Sequence, residues 1–223
     1  MGKRGPKPKG KVKIQWSPNF AYAIGLIVSD GNLSPDGRHI VFVSKDKDQL
    51  LNFMSALKIQ VAIGDVVSIG NLVKRVQFGD VLFYKFLLEI GLMPNKSKVL
   101  GEIKVPAKYF FDFLRGSFDG DGCTYSYFDP RWRSSFMFYT TFVSASEKHI
   151  LWIQEEICKR LKIRGHITGG KKTVFQLKYA KTDSLKLLRK MYRGRNVMHL
   201  RRKRLKVEQM LRIVGESLWS RKS

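Results

Sequence analysis

Two copies of one nine-residue segment constrain this chain more than any other feature. Ala23-Ile24-Gly25-Leu26-Ile27-Val28-Ser29-Asp30-Gly31 and Leu114-Arg115-Gly116-Ser117-Phe118-Asp119-Gly120-Asp121-Gly122 each carry two small residues four apart, then an acid, then a glycine. Residues four apart share one face of a helix, and small side chains there let two helix backbones approach closely. A glycine directly after the acid is a common helix end. Two such helices packed along Gly25, Ser29, Gly116 and Gly120 would set Asp30 beside Asp121. One Asp-Gly pair alone would read as an ordinary turn. Two, each following a close-packing helix, point to a shared acidic site.

That acidic pair sits in a very basic chain. The 223 residues include 42 Lys and Arg against 18 Asp and Glu, for a net charge of +24. Such a field favours a polyanion, with nucleic acid ahead of an anionic membrane or ribosomal surface, and binding should weaken steeply with salt through counterion release. Cys123 and Cys158 give neither a disulfide framework nor zinc spacing, and His39, His149, His166 and His199 are scattered. A reducing, intracellular setting is expected. No apolar run reaches the length of a membrane span and no signal-peptide pattern opens the chain, so no membrane partner is expected.

The chain divides into a basic flexible tail over residues 1–13, one repeat over 14–91, a linker over 92–106 holding Pro94 and Pro106, and a second repeat over 107–223 with a basic C-terminal helix. The tail reads either as a minor-groove hook or as a solvated arm. In each repeat the pattern predicts a motif helix (19–29 and 107–120), a β-rich stretch (32–44 and 123–144) and a helix opened by a capping serine, Ser44 or Ser144. A second hairpin (66–78 and 166–179) and a further helix (80–90 and 182–192) follow. The fold class is therefore α+β, an αββαββα unit performed twice.

These paired segments, 91 positions apart and each followed by the same element order, resemble the single-chain, two-motif LAGLIDADG homing endonucleases. The stretch Tyr109 to Gly122 is especially similar to that family's second motif, and Gly91-Leu92-Met93-Pro94-Asn95-Lys96-Ser97 to its mid-chain signature. The resemblance implies a pseudo-twofold monomer with two saddle-shaped antiparallel sheets cradling double-stranded DNA. It implies that Asp30 and Asp121 are catalytic and bind Mg²⁺ together with the backbone carbonyls of Ser29 and Gly120. Mn²⁺ is an alternative ion, and Ca²⁺ would bind without cleavage. Hard cations prefer such oxygen ligands, and phosphodiester hydrolysis needs them to activate water. The resemblance further implies a basic residue at each scissile phosphate: Lys96, and within the run Leu200 to Arg204 either Lys203 or Arg202. Asp119 reads as a structural or capping acid; its counterpart in the first motif is Val28.

Strand alternation identifies a groove-facing set. If Phe136, Phe138 and Phe142 pack inward, then Ser135, Met137, Tyr139 and Thr141 face outward. The same parity turns His39, Val41, Arg75, Gln77, Gln176 and Lys178 outward, with Ile40, Phe42, Val76, Phe78, Phe175, Leu177 and Tyr179 inside. Asn32, Ser34, Arg38, Tyr125, Tyr127, Arg131 and Arg133 complete the DNA-binding candidates, each to a base edge or to the phosphate backbone. The resemblance implies a site-specific double-strand DNA endonuclease that cuts a long asymmetric target and leaves short 3′ overhangs. The alternatives are a maturase binding intron RNA and a catalytically inactive DNA-binding protein.

Overall fold

The computed structural model describes residues 10–68, 71–132, 135–169 and 174–219. Its first half runs α1 (Pro18–Asp30), β1 (Gly31–Leu33), β2 (His39–Ser44), α2 (Lys47–Leu57), β3 (Ile63–Ser68), β4 (Asn71–Gly79) and α3 (Val81–Glu89). The second repeats this order with α4 (Phe110–Gly120), β5 (Cys123–Phe128), β6 (Phe136–Ser144), α5 (Glu147–Leu161), β7 (His166–Gly169), β8 (Phe175–Tyr179) and α6 (Lys181–Met191), then adds α7 (Arg201–Ile213). The two antiparallel four-stranded sheets have matching orders, β1-β2-β4-β3 and β5-β6-β8-β7. The α+β double repeat expected from the sequence is the fold observed.

Helices α1 and α4 form the spine between the halves. Ser17 caps α1 by accepting the Phe20 N–H at 3.1 Å, with Pro18 at the first helical position. Residues Phe20 to Val28 are then buried in succession, because α1 packs on a sheet and on a second helix at once. A Cβ on Gly25 would collide with the Phe113 carbonyl of α4, and one on Gly116 with the Tyr22 carbonyl of α1. A Cβ on Gly120 would run into Ser29 Oγ. The small-residue pairs are thus the surface along which the two backbones meet.

The alternation in β6 holds for Phe136, Phe138 and Phe142, which are buried, and for Met137 and Tyr139, which are half-buried. Thr141 departs from it. It stands on the second sheet's central strand between Cys123 and Lys178, its short side chain only 2% exposed, and so is not available as a DNA-reading residue. Phe175, expected inside, is half-buried.

Two boundaries differ from expectation. Ser44 and Ser144 are not the helix caps: Asp46 and Ser146 are, and each serine hydroxyl accepts the N–H of the cap residue, at 3.1 and 3.0 Å. The tail attaches before residue 14. Asp80 caps α3 through one carboxylate oxygen, and the other accepts the Lys11 and Val12 N–H groups at 2.6 and 2.9 Å, burying Val12. Residues 1–9 lie outside the described residues.

Candidate active site and groove-facing surface

The motif helices end side by side. Asp30 is the last residue of α1 and Asp121 caps the end of α4. Burial first, and then the nearby charge of Asp121, push the Asp30 carboxyl up to about 6 against relief from Lys203, Gln49 and Lys96. Desolvation also raises Asp121, opposed by Lys203 and Lys96. Two carboxylates brought together, Asp30 half-buried and Asp121 open to solvent on one side, favour either a proton or a cation between them.

Two lysines reach the same place from different elements. Lys96 lies in a short 3-10 turn over Lys96–Lys98 of the expected linker, is 7% exposed, and donates to the Gly31 carbonyl at 2.5 Å. Lys203, in the first turn of α7, donates to the carbonyls of Phe118, Gly120 and Gly122, each at 2.7 Å. Each ammonium therefore bonds the carbonyl of the glycine that follows a motif acid. Desolvation lowers both lysines, while the nearby carboxylates oppose that shift. Arg202, the alternative to Lys203, points elsewhere and pairs with Asp46 at 2.7 Å. A cavity of about 210 Å³ opens beside the acids, lined among others by Ser29, Lys96, Ser117, Asp121 and His149.

The site also contains a residue that sequence reasoning missed. Gln49 of α2 is 3% exposed; its amide donates to Asp30 Oδ2 and to the Asp119 carbonyl, both at 3.2 Å, and its oxygen accepts from Ser44 Oγ at 2.7 Å. Its only trace in the sequence is a polar side chain on a face otherwise made of Leu50, Phe53, Ala56 and Leu57. Its position in the second repeat is taken by His149, which bonds the Gly101 carbonyl at 2.7 Å. Asp119 is a capping acid, and the helix it caps is α7: Oδ2 accepts the Leu200 N–H at 2.7 Å and the Tyr22 hydroxyl at 2.8 Å.

Fit to a metal rests on this geometry. Among the described residues no three His, Cys, Asp or Glu side chains cluster, so a cation would depend on the two carboxylates plus backbone oxygens and water. The Ser29 hydroxyl is turned back onto the Gly25 and Leu26 carbonyls of its own helix, which leaves only its backbone to serve. The Gly120 carbonyl already accepts from Lys203, with a second lone pair remaining. The donor set of oxygens fits a hard divalent ion.

The groove-facing candidates divide between the sheets. On the first, Arg38, His39, Arg75 and Gln77 line one basic cleft with Lys11, while Asn32 is exposed on β1 and Ser34 half-buried after it. His39 is engaged by Asp36, whose carboxyl that contact and two backbone N–H bonds lower to about 2. On the second sheet Tyr125 and Tyr127 are exposed, and Ser135, Tyr139, Gln176 and Lys178 half-buried. Arg131 is tied to Asp129 within the turn after β5. Arg133 lies outside the described residues. No helix is long and apolar enough to cross a membrane among the described residues.

No protein-family model and no curated protein matches the chain. Solved structures do. The homing endonuclease I-WcaI bound to its DNA recognition sequence aligns at a TM-score of 0.59 with 14% identity over 92% of this chain and 95% of that one. The LAGLIDADG homing endonuclease I-LtrWI bound to target DNA gives 0.55 with 12% identity over 85% and 87%. Full-length DUF199/WhiA from Thermatoga maritima gives 0.56 with 20% identity over 92% of this chain, which spans only 63% of it. The chain has the LAGLIDADG homing-endonuclease fold, with both repeats in one polypeptide.

Proposed function

We propose that the chain is a divalent-metal-dependent endonuclease that, as a monomer, cuts both strands of a long asymmetric DNA duplex and leaves short 3′ overhangs. The observation that carries this reading is the closely placed, mutually repelling pair Asp30 and Asp121, flanked by Lys96 and Lys203. A binding surface alone has no need of two carboxylates facing a polyanion. Asp30, Asp121 and the carbonyls of Ser29 and Gly120 would hold Mg²⁺ or Mn²⁺, which when bound supplies an activated water and charge on the leaving oxygen. Lys96 and Lys203, one per repeat, stabilise the negative charge gathering on each scissile phosphate. Gln49 orients Asp30. Related folds support the choice of ion and partner: the homing endonuclease I-DmoI has been solved with DNA and Ca and with DNA and Mn.

The test is cleavage of a randomised plasmid library with Mg²⁺. Linear product from wild type, and none from Asp30→Asn or Asp121→Asn at undiminished DNA binding, is the expected result. Either variant cutting both strands at the normal rate would refute the shared-acid mechanism.

One observation favours a second reading, a DNA-binding protein that does not cut. The Lys203 ammonium already bonds three carbonyls at the end of α4, as a resident cation would. Tight sequence-specific binding without nicking in Mg²⁺ or Mn²⁺ would select it. Tight binding to an intron RNA with no DNA cleavage would select the maturase.

A further inference from the structure

The two sheets beside the acid pair differ in kind on their outward faces. The first sheet offers Arg75 and Gln77 on β4, with Arg38 beside them. The second has Gln176 and Lys178 at the corresponding places on β8, and adds an aromatic ladder across β5 and β6. Tyr125 stacks on its cross-strand partner Tyr139, ring centroids 4.8 Å apart and planes within 11°. Tyr127 stacks on Tyr139 from the other side at 6.3 Å and 12°. The ladder exists because β5 has six residues where β1 has three, so the hairpin extends past the motif helix and gains cross-strand rungs.

We propose that this ladder reads a thymine-rich stretch within one half of the duplex target, packing tyrosine ring edges against C5-methyl groups in the major groove and setting hydroxyls against O4. The inference rests on the DNA endonuclease reading above and deepens it by giving the target a chemical asymmetry. Guanine and adenine are read by bidentate Arg, Asn or Gln side chains. The described outward residues of β5 and β6 include none of these: they are Cys123, Tyr125, Tyr127, Met137, Tyr139 and Val143, with Thr141 covered and Ser135 just before β6. A purine N7 and O6 pressed against that surface would lose water without a matching fork of donors. Cytosine shows an amino group and no methyl. Thymine alone shows an apolar methyl beside a single acceptor, and tyrosine shows an apolar ring beside a hydroxyl.

The ladder is also preorganised. Stacking fixes both torsions of each ring before DNA arrives, so little side-chain entropy is lost on contact. Hydrogen bonding to Tyr127 raises Tyr139, and desolvation raises Tyr125, so these hydroxyls remain protonated donors. On the first sheet, Arg75 and Gln77 carry the complementary preference for guanine and adenine.

Selection from a randomised duplex library by wild type in Ca²⁺ defines the target, and the same selection with Arg75→Ala shows which half relaxes and so lies under the first sheet. The other half should carry a thymine-rich stretch where β5 and β6 lie over it, beside the bases met by Gln176 and Lys178 on β8. Replacing its thymines by deoxyuridine, which removes only the methyl, should weaken binding about fourfold per contacted methyl. That loss should vanish in Tyr125→Ala and Tyr139→Ala, while deoxyuridine in the Arg75 half should have no comparable effect. Deoxyuridine duplexes that bind as tightly as thymine duplexes, or a uracil effect that persists in the tyrosine variants, would overturn the inference while leaving the endonuclease reading intact. If wild type selects no sequence at all, the endonuclease reading falls first, and the ladder's role with it.

Discussion

Asp119 Oδ2 accepts the backbone N–H of Leu200 at 2.7 Å, so a carboxylate inside one motif helix holds the N-cap of another helix, 81 positions away. Three residues further along α7 stands Lys203, whose ammonium returns to the carbonyls on either side of Asp119. The first motif has Val28 at this position and needs no such acid, because Lys96 comes from a turn and not from a docked helix.

This geometry makes Asp119 a positioning residue for one lysine only. Asp119→Ala should slow cleavage of the strand served by Lys203 by roughly a hundredfold, the cost of an ångström-scale misplacement. The strand served by Lys96 should be cut within about twofold of its normal rate. The readout is accumulation of nicked plasmid with strand-specific end labels. Asp119→Asn keeps an acceptor for the Leu200 N–H and should recover most of the loss. A merely structural role for Asp119 would slow both strands together.

The helix interface gives a prediction whose sign opposes intrinsic propensity. Alanine is about 1 kcal/mol better than glycine inside a helix. Gly116→Ala should nonetheless destabilise the protein by about 1–3 kcal/mol or more, because its methyl would meet the Tyr22 and Leu26 backbones, which cannot yield as a side-chain tip could. Gly101→Ala, where a Cβ meets nothing within 4 Å, is the control and should change stability by less than about 0.5 kcal/mol. Chemical denaturation of both variants measures the difference.

Much of this arrangement was legible in the sequence, for identifiable reasons. Gly25, Ser29, Gly116 and Gly120 could be read because backbone contact tolerates few residue types, and Asp30 and Asp121 because they follow that pattern at once. The Phe136-Phe138-Phe142 alternation could be read because β6 lies over a core. Gln49 could not, because what gives it meaning is the proximity of α2 to the end of α1, a tertiary fact with no local spacing. Thr141 misled for a similar reason: alternation fixes which face a side chain is on, but not how much its neighbours cover it. The choice between Arg202 and Lys203 turned on the helical phase of α7, which adjacent basic residues leave undetermined.

The acid pair makes stability depend on pH in a defined direction. Asp30 has a carboxyl raised from 3.8 to about 6 in the fold. Between those values the unfolded chain releases its proton while the folded chain keeps it, so stability falls as pH rises through this window and the full cost is present above pH 6. Asp30→Asn lacks this cost. It should be more stable than wild type at pH 7.5, by at most about 3 kcal/mol before solvent screening, with the gap closing below pH 4. Mg²⁺ or Ca²⁺ should raise the wild-type melting temperature above pH 6 and leave Asp30→Asn unchanged. Thermal melts across pH 4–8, with and without the ion, test both statements.

Gln49 separates electrostatic tuning from binding. Its amide is the one side-chain hydrogen bond that lowers Asp30, opposing burial and the charge of Asp121. Gln49→Leu keeps the side chain's bulk and removes the donor. The Asp30 carboxyl should then rise further and hold its proton to higher pH, so the acid limb of the cleavage profile should move up while DNA affinity stays the same. Gln49→Glu introduces a like charge at the same spot and should move the limb further still. Cleavage rates from pH 5.5 to 9 at saturating Mg²⁺ report the shift. An unmoved profile in both variants would show that Gln49 packs against Asp30 without tuning it.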